Sequence, residues 1–178
     1  MYQNVLDFWF QEIDPKSWWV KDADFDQLIR DRFLAVHEQA ICGELFKWRE
    51  QAEGRLAEII VLDQFSRNMF RNSAQAFAYD PLALVLAQEA VYQGADKKLS
   101  QSQKNFLYMP FMHSESLAIH VVAVELFRQN GSESSFEFEL KHMEIIERFG
   151  RYPHRNEILG RQSTTEEIEF LKQPGSGF

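Results

Sequence analysis

Arg55-Leu56-Ala57-Glu58-Ile59-Ile60-Val61-Leu62-Asp63-Gln64-Phe65-Ser66-Arg67-Asn68-Met69-Phe70 is the stretch that decides the fold. Leu56, Ile59, Ile60, Val61, Leu62, Phe65 and Met69 fall on more than one face of a 3.6-residue period. That pattern predicts a central helix over residues 55–70, covered on several sides. A helix so enclosed needs neighbours, and the flanking chain supplies them. Residues 24–40 carry Phe25, Leu28, Ile29, Phe33, Val36 and Ala40 at i, i+3 and i+4 steps, with Asp24 expected as N-cap. Asp80-Pro81 reads as an N-cap followed by proline at the first helical position. The helix it opens runs through Leu82, Val85, Leu86 and Tyr92 and should end near Gly94.

Ser100 should cap the next helix, which Pro110 is expected to kink or break because proline removes a backbone donor. Two more follow: Leu117, Val121, Val124 and Leu126 lead to Asn130-Gly131, and Phe136, Leu140, Met143, Ile146 and Phe149 lead to Gly150. Ser163-Thr164-Thr165-Glu166-Glu167 holds two overlapping capping boxes before a short last helix through Ile168 and Leu171. No segment alternates with period two long enough to make a strand. The expectation is an all-α fold of about seven or eight helices, with residues 1–172 as one domain and 173–178 as a flexible tail. No fixed period repeats, so self-similarity does not demand a solenoid.

Composition narrows the function classes. A formal net charge of −8 argues against a nucleic-acid or anionic-membrane surface. Sixteen Phe, five Tyr and four Trp imply an aromatic core, in which Trp18-Trp19 should pin the first loop. Cys42 is the only cysteine, which rules out an intrachain disulfide and a cysteine-based metal site. The first ten residues lack the basic and apolar regions of a signal peptide, and no apolar run is long enough to span a bilayer. A soluble cytoplasmic protein is the expectation.

Against that acidic background, polar residues cluster in three places. On the central helix Asp63, Arg67 and Arg71 stand at successive i+4 steps, with Gln64 and Asn68 forming a second row. Asp63 follows Leu56 and Ile59 on the apolar side, so its carboxylate needs partners. Beyond the proline, Tyr108-Met109-Pro110-Phe111-Met112-His113-Ser114-Glu115 places a half-buried histidine at a helix boundary. His113 and Glu115 are two apart and do not share a helix face, so they are no two-ligand metal motif; His113 and Ser114 also suit a simple capping role. The third cluster is Arg148-Phe149-Gly150-Arg151-Tyr152-Pro153-His154-Arg155-Asn156, with Arg161 after it. Self-repelling arginines in a Gly/Pro-punctuated turn need carboxylate partners or an anionic ligand, and guanidinium forks suit carboxylate and phosphate oxygens.

Read together, "VLDFWF" (5–10), "RLAEIIVLDQFSRNMFR" (55–71), "AFAYD" (76–80), "FLYMPFMHSE" (106–115) and "RFGRYPHRNEILGRQSTTEEIEFL" (148–171) resemble the bacterial family known as domain of unknown function 924. The resemblance runs in order from about Val5 to Leu171. It implies a tetratricopeptide-like array of antiparallel helix pairs and no established activity. Its motif positions fall on Asp63, Gln64, Arg67, Asn68, Arg71, His113, Ser114, Glu115, Arg151, His154, Arg155, Asn156 and Arg161. Two positions depart: Ser66 stands where the family has proline, and His120 where glutamine is common.

The preferred expectation is a concave Arg/His-lined pocket for a small anionic or phosphorylated ligand, held by Arg67, Arg71, Gln64, Asn68, Arg151, Arg155, Asn156 and Arg161. An alternative is a hydrolase or lyase-type enzyme, with Asp63 or Glu115 as base and His113 or His154 as acid/base. A third is a helical-repeat interaction module for a peptide or protein partner. No phosphate loop, nucleophile elbow or zinc motif is present, and no metal or cofactor is expected.

Overall fold

The computed structural model describes residues 1–177, so Phe178, the last residue of the expected tail, lies outside the described residues. The predicted central helix exists and is longer than expected. It begins as α3 (Ala52–Ile60), passes through a π-helical turn (Val61–Phe65) and closes as α4 (Ser66–Met69). Every side chain from Leu56 to Ser66 is buried, in accord with apolar residues on all faces. Around this rod stand α1 (Tyr2–Asp7), α2 (Ala23–Ile41), α5 (Asp80–Tyr92) and α6 (Gln101–Met112). α7 (Leu117–Asn130) packs on α6, α8 (Glu133–Phe149) packs on α7 and α6, and α9 (Thr165–Leu171) lies against the 153–155 turn. With α3 and α4 counted as one rod, the described residues form eight α-helices and no strand, as expected. The connections from α6 to α7 and from α7 to α8 are short, and each of these helices packs on the one before it.

The caps show where local rules held and where they failed. Ser100 and Gln103 form a reciprocal capping box on α6, and Thr164 with Glu167 does so on α9. α7 and α8 end at Gly131 and Gly150, whose φ of 73° and 67° suit a residue without Cβ. At the start of α2 the cap is Asp22 rather than Asp24, its carboxylate accepting from the backbone N–H groups of Asp24 and Phe25. Pro110 lies inside α6, which runs on to Met112, and His113 closes the helix as C-cap. The helix continues for two residues past Pro110 although proline cannot donate to the carbonyl one turn back, so the expected break does not occur. Asp80 opens α5 but makes no capping bond, its carboxylate being used elsewhere.

Aromatic rings fill the core. Trp9 meets Phe65, Phe106 and Trp18 at centroid distances of 5.5, 5.6 and 6.2 Å. Trp18 pins the first loop as expected, donating from Nε1 to the Trp9 carbonyl at 2.9 Å. Gly54 admits the Trp48 backbone: a Cβ there would stand 2.1 Å from the Trp48 carbonyl oxygen, so any larger residue forces these segments apart. Ser66 donates to the Leu62 carbonyl at 2.6 Å and accepts from His37 Nε2 at 2.8 Å. The serine thus ties α2 to the end of the π turn. A second, small apolar cluster of Ile145, Ile146 and Tyr152, with Phe149 and Phe170 against it, holds the C-terminal segment. Within the expected tail, Ser176 is buried and donates to the Leu171 carbonyl at 3.1 Å.

Candidate functional site

The π turn rotates Asp63 and Gln64 out of the α3 register, toward the end of α6 and the 153–155 turn. π insertions of this kind recur at functional sites. Asp63 Oδ1 accepts from Arg67 Nη1 at 3.0 Å and from His113 Nδ1 at 2.7 Å, while Oδ2 accepts from Gln64 Nε2 at 2.6 Å. Its side chain is only 1% exposed. Burial would raise this carboxyl, but the Arg67 charge and the His113 and Gln64 hydrogen bonds hold it well below the ordinary range. Asp63 is therefore an ionised acceptor, and the proton on the His113 ring sits at Nδ1. Burial, then Arg67, pushes His113 below its ordinary value, against the pull of Asp63. His113 Nε2 makes no hydrogen bond to any described residue and is not sealed from solvent.

Arg67 also forks onto Asp80, with Nη1 to Oδ1 and Nη2 to Oδ2 both at 2.9 Å. The same Asp80 is the hydrogen-bond acceptor of Arg155, through a longer Nη1 to Oδ2 bond of 3.3 Å. Arg155 is sandwiched between the Tyr152 ring at 4.5 Å and the Phe77 ring at 4.7 Å. Its side chain is 7% exposed, and its buried Nε has no partner. Burial, then the neighbouring Arg67, lowers its affinity for its own proton, with Asp80 opposing. Two guanidinium groups thus lean on one carboxylate, and Arg155 has the weaker share.

The other expected residues take separate posts. Glu115 receives both Nη atoms of Arg161, at 2.6 and 2.9 Å, and the Tyr152 backbone N–H at 2.8 Å. It clamps the turn that carries Arg155. Arg151 forks onto Glu167 at 2.6 and 2.8 Å and reaches the Gln162 carbonyl at 2.9 Å. The Arg151 fork and the α9 cap hold Glu167 down at about 2, though burial opposes them. Asn156 donates to Ser163 at 3.0 Å. Arg71 and Asn68 turn to Asp26 of α2 and do not join Asp63. The His154 ring lies tilted against Tyr152 at a centroid distance of 5.6 Å, and burial, then Arg155, drives it down to about 4. So Asp63, Gln64, Arg67, His113 and Arg155 come together, Glu115 and Arg161 brace them, Arg71 and Arg151 lie in other ion pairs, and Asn68 hydrogen-bonds to Asp26. Two surface clefts, of about 150 and 260 Å³, contain none of these residues.

Sequence reasoning missed several members. Asp80 was hidden by its Asp-Pro cap pattern, and Phe77 and Tyr152 read as core aromatics. Behind Tyr152 lies a fully buried pair, His120, noted above only as a departure from the resembled family, and Glu139, each 0% exposed, with Nδ1 and Oε1 2.7 Å apart. His120 Nε2 donates to the Ser114 carbonyl at 2.9 Å, so it must carry a proton. The 2.7 Å contact on the other side of the ring therefore shares a single further proton. Burial raises Glu139, although His120 pulls the other way, and Glu139 Oε2 has no partner. These observations favour a protonated carboxyl donating to a neutral imidazole. Tyr152 stands at the end of this chain, donating to the Met112 carbonyl with its oxygen 3.2 Å from His120 Nε2.

A family model described as "Bacterial protein of unknown function (DUF924)" matches residues 5–175. The chain belongs to the DUF924 family. A solved structure of the protein of unknown function ATU0120 from Agrobacterium tumefaciens is 42% identical, covers 96% of each chain and superposes with a TM-score of 0.92. A comparison with curated proteins finds no match. In this DUF924 chain no group of three or more His, Cys, Asp or Glu among the described residues is placed to hold a metal ion. No helix among the described residues is long and apolar enough to cross a membrane.

Proposed function

We propose that this DUF924 protein binds a small anionic or phosphorylated ligand where Arg155, Arg67 and His113 meet. One observation carries the reading: a nearly buried guanidinium, braced by two aromatic rings, has an unpaired Nε and only a 3.3 Å share of a carboxylate already forked by Arg67. An under-compensated buried cation is costly, and an anion offsets that cost through charge-assisted hydrogen bonds. Most of the other arginines have carboxylates of their own, which confines the reading to this one position rather than to the whole basic segment.

Thermal denaturation with a panel of carboxylates and phosphorylated metabolites tests it. A ligand at about 100 times its dissociation constant should add about 2.7 kcal/mol. For a chain of this length that is a rise of roughly 5–10 °C in melting temperature. Arg155→Met keeps the packing between Phe77 and Tyr152 and should lose the shift while retaining the helical circular dichroism. An Arg155→Met variant that still responds to the same ligand overturns the assignment.

A further inference from the structure

Asp63 and His113 form a dyad that anion binding alone does not require. All the hydrogen bonds on the Asp63 carboxylate are internal, from Arg67, Gln64 and His113, so it orients the imidazole and cannot itself reach a substrate. The pair fixes one tautomer, with hydrogen on Nδ1 and a lone pair on the unpartnered, solvent-reaching Nε2. A general base needs a positioned lone pair, a second group holding its tautomer, and nearby cations for developing negative charge. Glu115 lacks the first of these, because both its oxygens are taken by Arg161 and the Tyr152 N–H. It is a positioning residue for the Arg155 turn.

We infer that His113 is the general base of a hydrolase acting on small acyl esters that carry one carboxylate. The inference rests on the proposed role of Arg155 as the anion anchor. One under-paired guanidinium matches a single negative charge, whereas a phosphate dianion would also face the carboxylates of Asp63, Asp80 and Glu115. In the reaction His113 Nε2 takes a proton from water as the water oxygen bonds to the acyl carbon. The tetrahedral intermediate then collapses, the carbon–oxygen bond to the leaving group breaks, and the proton passes from His113 to the departing oxygen. Arg67, close enough to act on His113, is the cation for the charge that develops, while Arg155 holds the substrate carboxylate.

The test uses mono-4-nitrophenyl succinate against the neutral 4-nitrophenyl acetate, following release of 4-nitrophenolate by the whole chain. With each ester's own buffer rate subtracted, which for the succinate includes attack by its own carboxylate, hydrolysis of the anionic ester by the protein should exceed that of the neutral ester. His113→Gln should lower kcat by roughly 10²- to 10⁴-fold. Arg155→Met should chiefly raise KM for the anionic ester and erase the preference. The charged and titratable groups facing His113 are Asp63 and Arg67 on the central rod, Asp80 on α5 and His142 on α8. With His113 lowered from 6.5, kcat/KM should rise with pH through a midpoint below 6.5. A wild-type rate no faster than buffer, or His113→Gln turning over like wild type, overturns the inference. Calorimetry with butyrate separates the two ideas: butyrate binding without ester turnover defeats only the catalytic role, whereas binding by none of the anions defeats the anchor as well.

Discussion

Around Trp9 and Phe65, rings from the turn that follows α1, from α2, the central rod and α6 meet one another, in a core that also takes in α5. Around Tyr152 the buried apolar partners shrink to Ile145 and Ile146, and polar pairs take over: the ion pairs Glu115 with Arg161 and Arg151 with Glu167, and the buried hydrogen bond between Glu139 and His120. The two regions meet along the edge formed by Asp63, Arg67, His113 and Asp80. Apolar burial is non-directional and cumulative, so the first region tolerates imperfect contacts. A buried polar network is specific but loses its value when one member is removed. The candidate site lies where the first kind of order gives way to the second, which lets charged groups be buried and still face outward.

If that contrast is right, the largest effect should come from the aromatic side. Trp9→Ala removes a fully buried indole that contacts Phe65, Phe106 and Trp18. It should cost about 3–5 kcal/mol in urea denaturation, felt by the whole molecule in one transition. A loss confined to α1, read by hydrogen exchange, would break the view of a single apolar unit.

Acid should act on the other region first. His142 and His154 are pushed down to about 3 and about 4, in both cases by burial first, and His113 is lowered as well. Their folded values lie below the unfolded value of 6.5, so between about pH 6.5 and 4 the unfolded chain binds more protons. The stability these groups contribute is fully present above pH 6.5 and is lost as pH falls, by about 1.4 kcal/mol per pH unit for each histidine. The depressed carboxyls of Asp63, Glu115 and Glu167 extend the loss to lower pH. Glu139, whose carboxyl is raised, works in the opposite sense. His37 is the lowered histidine of the aromatic side. Hydrogen exchange at pH 5 should therefore quicken in α8, the 153–155 turn and α9 before α2 and α3; uniform quickening would erase the distinction.

The difference between the regions also explains what the sequence made legible. Apolar periodicity reports burial, and it found the central rod, α2, α5, α7 and α8, because a stripe of side chains at 3.6-residue spacing has one cheap solution. It found Asp63 too, since a carboxylate on an apolar face is conspicuous. Partnership between distant charges leaves no such periodic trace. Arg67 and Arg71 stand four residues apart on one predicted face, yet one turns to Asp80 and the other to Asp26. The rod ends at Met69 and Phe70 leaves helical geometry, so Arg71 lies beyond the helix and off the predicted face. Asp80 fitted a capping pattern so well that its longer-range use was invisible, and His120, set apart only as a departure from the resembled family, gave no sign that Glu139, 19 positions on, is its partner.

That buried pair gives the finest test of how the polar region is held. If the shared proton sits on Glu139, as the unpartnered Oε2 and the donating His120 Nε2 favour, an amide can replace it. In Glu139→Gln an N–H would point at His120 Nδ1 where the carboxyl O–H did, and the variant should lie within about 0.5 kcal/mol of wild type. Glu139→Leu fills similar space but leaves His120 Nδ1 buried without a partner, which should cost about 1–3 kcal/mol. The same pair of variants reads the connection to the site, because His120 backs the Tyr152 ring on which Arg155 stacks. Glu139→Leu should weaken anion binding more than Glu139→Gln does. If the amide instead proves as damaging as the leucine, the proton resides on His120 and the polar region contains a true buried ion pair, whose loss on either side leaves an uncompensated charge.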